Sequence, residues 1–162
     1  MTQEYESAVA TYYSKLKIVP VPLISWDLFV NHDFQIEKYN SIQKQWKSKE
    51  NFREIVYQKK QEIIITDTNF EIVFASSGIF KMNGYHPFEV VGKSAKLFQG
   101  KETSQKSKDT IRLALANELP FKEILVNYKK DGSTYLCEIE AYPKFDKEGK
   151  LTHYIAFERI AS

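Results

Sequence analysis

One cysteine stands in the chain, Cys137, so no internal disulfide is possible and no cysteine cluster can hold a metal. The three histidines, His32, His86 and His153, are scattered and lie beside no carboxylate cluster. Each is expected to be a surface residue rather than a base or a ligand. No run approaches the roughly 18 apolar residues of a membrane span, and the first residues carry acids where a signal peptide has an apolar stretch. The balance of charge is slight: 23 basic against 21 acidic residues leave a net charge of +2, too little to argue for nucleic acid. These absences point to a cytoplasmic protein with neither membrane nor nucleic acid as partner.

Glycine is missing from residues 1–60, and all six glycines fall at or after Gly78. The two halves therefore differ in kind. In the first, Tyr5, Val9, Tyr12 and Leu16 recur at helical spacing until Pro20–Val21–Pro22 stops the pattern. Ile36, Tyr39, Ile42 and Trp46 mark a second helical stripe, and Phe52, Ile55 and Val56 a third short one. What the chain has in quantity is aromatic: eleven Phe and ten Tyr, enough for a thick core or an interface.

From Gln61 the period changes to that of strands. Residues 62–67 and 71–75 read as two short strands around a turn at Thr68–Asn69. Brief helices follow to Phe98, and then a longer one to about Asn117, with Thr103 as its expected cap and Pro120 beyond its end. Three long strands span about 121–129, 133–144 and 151–160, joined at Asp131–Gly132 and at residues 146–149. The expected fold is α+β: a five-stranded antiparallel sheet with a helical insert on one face. In the last strand Tyr154 and Ala156 alternate with Ile155 and Phe157, so both faces are apolar and the insert can cover only one. The helical residues 1–60 or a partner subunit are expected to cover the other.

The stretch from Ile72 to Gly100, IVFASSGIFKMNGYHPFEVVGKSAKLFQG, resembles the light-oxygen-voltage (LOV) branch of the PAS domains without a gap. So do Asn127–Gly132 and Tyr154–Glu158. The resemblance covers roughly residues 61–160. It implies the PAS fold for 61–162, with 1–60 as an N-terminal helical extension serving as cap, linker or dimerisation segment.

The resemblance also assigns a ligand pocket. In the family a cysteine forms a light-driven bond to flavin; here Ala95 holds that place and has no thiol. Ser94 replaces an asparagine and Lys96 an arginine, while Gln99 and Arg112 keep the family's residues. Asn127 retains one ring-contacting amide, Cys137 replaces a second, and Glu158 replaces the final-strand glutamine. Cys137 shares a face with Tyr135, Ile139 and Ala141, where a cysteine reads first as a small hydrophobe and second as a redox sensor. Glu158 reads equally as a ligand contact or as a partly exposed carboxylate paired with a lysine.

No nucleophile with a base, carboxylate pair or phosphate loop is evident, so the expectation is a sensor and not an enzyme. Since no output domain follows the last strand, the expected output is association, with a second copy or with a separate signalling effector. No cofactor is expected in that reading. The alternative is noncovalent FMN in a light or redox sensor.

Overall fold

The computed structural model describes residues 34–161. The first helical stripe, Tyr5 to Leu16, and its proline stop lie outside the described residues, as does His32.

Five strands form one antiparallel sheet in the order β2-β1-β5-β4-β3. They are β1 (Glu62–Asp67), β2 (Ile72–Ala75), β3 (Phe121–Tyr128), β4 (Thr134–Phe145) and β5 (Leu151–Ile160). The first and last of these strands meet in the middle of the sheet, because β5 returns to pair with β1 from Glu62↔Glu158 to Asp67↔His153. Gly132 turns the β3–β4 hairpin at a φ of 86°, a backbone state that a side chain disfavours.

Between β2 and β3 lie α1 (Ile79–Asn83), α2 (Pro87–Val90), a 3₁₀ turn at Ala95–Phe98, and α3 (Gln105–Ala116). Pro87 opens α2 at a position where its missing N–H costs nothing, and Glu89 accepts from the His86 amide at 2.9 Å. The cap of α3 is Ser104, which accepts from the Ser107 amide, and not Thr103. Thr103 is turned into the sheet: its hydroxyl donates to the Val126 carbonyl at 2.6 Å and accepts from the Gly100 amide at 2.9 Å. A buried hydroxyl with two partners outcompetes an exposed cap.

The sheet carries two separate cores. On the inner face Ile64, Leu125, Cys137 and Ile139 pack with Ile79, Met82, Val90 and Phe98 of the insert. On the outer face Ile63, Ile65, Phe74, Ile155 and Phe157 pack with Tyr39, Trp46, Phe52 and Ile55. The outer cover is built from helical residues 34–42, the 3₁₀ turn Gln43–Gln45 and a π turn at Glu54–Gln58. The cover expected from the two-sided apolar pattern of β5 is therefore intrachain at β1, β2 and β5. Burying side chains of this size contributes about 1.5–3 kcal/mol each.

Candidate functional site

A cavity of about 560 Å³ opens between the inner sheet face and the segment from the 3₁₀ turn through α3. Its wall is mostly apolar, with Ile64, Phe98, Ile111, Leu115, Ile139 and Ala156 among its side chains. Its size is that of pockets holding drug-sized ligands. Tyr154 ties the layers together at one end, its hydroxyl donating to the Leu115 carbonyl at 3.0 Å.

Six of the eight residues singled out from the sequence line this cavity: Ala95, Lys96, Gln99, Arg112, Asn127 and Glu158. Two do not. Ser94 is exposed and caps the 3₁₀ turn, its hydroxyl accepting from the Lys96 amide at 3.3 Å. Cys137 is fully buried in the inner core behind Glu158, its sulfur 3.7 Å from Oε2. Burial pushes the Cys137 thiol up, and the neighbouring Glu158 adds to this, so the inert thiol predominates. We expect no reaction of the native protein with a thiol reagent such as DTNB, and reaction of one thiol after unfolding. Rapid labelling of the folded protein would contradict this burial.

Positive charge gathers at the rim, where Lys96 and Arg112 are exposed. Lys108 joins them, donating to the Gly100 carbonyl at 3.2 Å, and Asp109 pairs with Arg112 at 2.9 Å. Neither Lys108 nor Asp109 was singled out from the sequence. The spacing of Asp109 and Arg112 on one helix face was the available signal.

The cavity's polar wall is under-partnered. Asn127 is 2% exposed and its Oδ1 has no hydrogen-bond partner. Tyr135, its cross-strand neighbour, and Asn83 also keep a buried polar atom without a partner, but neither lines the cavity. Glu158 is 5% exposed and makes no ion pair among the described residues, which replaces the reading of a partly exposed, lysine-paired carboxylate. Burial raises its pKa from 4.5 to about 7; the Cys137 thiol opposes the shift and Glu62, opposite it on β1, reinforces it. Glu62 itself accepts from the Ser76 hydroxyl at 2.5 Å.

These features bear on whether a flavin fits. The open acceptor of Asn127 suits a ring N–H, Gln99 adds an amide to the same cavity, and Lys96 and Arg112 supply charge for a phosphate. Glu158 departs from the glutamine's place, but protonated it offers one donor and one acceptor, as an amide does. The residues present thus fit FMN, with Glu158 in its neutral form.

The fold and cavity define a class: a sensory domain with a ligand-sized chamber between sheet and helices. The model of the PAS domain family matches residues 60–159, and the chain belongs to that family. It is 36% identical over 110 residues to Protein TWIN LOV 1 of Arabidopsis thaliana, covering 65% of this chain and 28% of that protein. It is 34% identical over 102 residues to Phototropin-1A of Oryza sativa subsp. japonica, covering 61% of this chain and 11% of that one. The chain thus spans under a third of the length of these curated relatives. A solved structure described as "Flavin Analogue Sheds Light on Light-Oxygen-Voltage Domain Mechanism" superposes with a TM-score of 0.62 at 30% identity, covering 66% of this chain and 82% of that one. Among the described residues no cluster has the makings of a metal site and no helix is long and apolar enough to cross a membrane.

Proposed function

We propose that this protein is a cytoplasmic PAS signalling module that acts by protein association and without cysteinyl-adduct photochemistry. Ala95 carries the second half of that reading. It stands in the cavity wall at the family's cysteine position, and the chain's single thiol, on Cys137, lies outside the cavity. Residues 1–60 act as its extension and 61–162 as the sensory domain.

The association half rests on the outer face. Among the described residues the cover does not reach the β3–β4 side of that face, where Ile124 (53% exposed), Leu136 (51%) and Tyr142 (39%) stand beside the Lys122–Glu138–Arg159 ion-pair network. Apolar side chains ringed by paired charges suit a partner surface. The partner is a second copy or a separate effector.

A second reading, noncovalent FMN, is favoured by the unpartnered Oδ1 of Asn127 in a cavity of suitable size. A bound flavin would supply light absorption and redox change, with Asn127, Gln99 and Glu158 orienting the ring and Lys96 and Arg112 holding the phosphate. An absorbance spectrum of the purified protein, before and after incubation with FMN, separates the two. The first reading expects no flavin band and no uptake, with self-association rising with concentration in light scattering. A colourless protein that takes up no FMN eliminates the second reading. A reversible flavin bleach under blue light in the unmutated protein overturns the first.

A further inference from the structure

The outer cover is fastened at one point by a contact that needs a neutral histidine. Trp46, 2% exposed, donates its indole N–H to Nδ1 of His153 at 3.1 Å across 107 residues of sequence. An indole nitrogen only donates, so Nδ1 must hold a lone pair and the ring proton sits on Nε2. Protonating His153 sets two donors against each other in a partly buried site.

The groups around His153 show which way its charge is pushed. On β4 its pairing partner is Lys144, 5% exposed, whose ammonium lies 5.5 Å from the Trp46 ring and donates to Glu50 at 2.5 Å. On β1 its partner is Asp67, whose Oδ1 accepts from the Asn69 and Glu71 amides. Asp146, bridged to Trp46, accepts from the Glu148 and Lys150 amides. Asp67 is thus the counter-charge on the neighbouring strand, while the buried ammonium of Lys144 is taken up by Glu50. Burial lowers the pKa of His153 from 6.5, and the attraction of Asp67 does not restore it.

We propose that Trp46 and His153 form a proton-operated clasp that holds the cover segment on the sheet when His153 is neutral and loosens it when His153 is protonated, so that the cover opens more often. Opening bares Ile155 and Phe157, on the same sheet face on which association is proposed, so the fraction of molecules with an enlarged partner surface would rise in acid. The sign follows from linkage. The closed state binds the proton less tightly than the open one. The clasp is therefore at full strength above pH 6.5 and weakens as pH falls through the lowered value.

Hydrogen exchange of the full-length protein at pH 7.5 and 5.5, corrected for intrinsic rates, tests this. Amides of residues 46–58 should open up to about tenfold more at pH 5.5, the factor that one pH unit below 6.5 allows. Amides of β3 and β4 should not change with them. His153→Gln keeps an acceptor for the indole but does not titrate, so its cover should stay closed at both pH values. Trp46→Phe removes the donor and should open the cover at pH 7.5 while flattening the pH response. Equal exchange of 46–58 in the parent protein at both pH values overturns the clasp, as does an unchanged acid response in His153→Gln. Should Trp46→Phe fail to fold, an NMR titration of the imidazole still decides: a midpoint at or above 6.5 overturns the proposal.

Discussion

Glu158→Gln should stabilise the protein at pH 8 by about 1–3 kcal/mol and leave it unchanged at about pH 4. The full pKa rise from 4.5 to about 7 is worth about 3.5 kcal/mol at roughly 1.4 kcal/mol per unit, and burial of the amide reduces it to this range. The sign is that of a raised carboxyl. The folded protein holds the Glu158 proton more tightly than the unfolded chain does. Its favourable contribution is complete below pH 4.5 and is lost as pH climbs through 7. Urea unfolding at both pH values measures it. Parallel stability curves for parent and variant would mean that Glu158 is ionised and paired, contrary to its burial without a cation. The same substitution bears on ligand binding, since glutamine provides at all pH values the donor-and-acceptor pair that Glu158 provides only when protonated.

Trp46→Ala should cost about 3–5 kcal/mol, the range for removing a buried aromatic side chain. The side chain is 2% exposed, packs in the outer core, hydrogen-bonds His153 and lies beneath Lys144. Its removal also takes one contact from a buried ammonium that then depends on Glu50 and Ser48 alone. Urea unfolding gives the loss, and light scattering should show greater self-association as the outer face is uncovered. Ile124→Ala, at an exposed position on the same face, should change stability by less than about 0.5 kcal/mol. A Trp46→Ala loss as small as that would show that the cover contributes little to the fold. The two predictions act on opposite sides of the sheet and share no partner, so their effects should add.

Glu158 and His153 pull the pH dependence in opposite directions. Acid relieves the first and strains the second. Where the two ranges overlap, below pH 6.5, the effects oppose each other and the pH response should flatten; each single variant should restore the slope of the other group.

Much of this was legible in the residues. The five strands follow from alternation and from the Asp131–Gly132 turn, signals that depend only on neighbours along the chain. The two apolar faces of β5 demanded two covers, and Tyr39, Trp46, Phe52 and Ile55 provide the second. The motif placed Ala95, Lys96, Gln99, Arg112, Asn127 and Glu158, and all six line one cavity.

Other properties depended on which strands met. Pairing β1 with β5 set Glu62 against Glu158 and Asp67 against His153, and no local pattern encodes either juxtaposition. That pairing, with the depth of burial, makes Glu158 a neutral-pH acid instead of an exposed carboxylate. The close of the sheet turned Thr103 inward, leaving the helix cap to Ser104, and put Cys137 behind the cavity wall instead of in it. It also made a partner of His153, which reads from the sequence as a surface residue. Side-chain direction is a local property of a strand and is written in the sequence. Desolvation and the company of charges are sums over distant segments, and only the tertiary structure decides them.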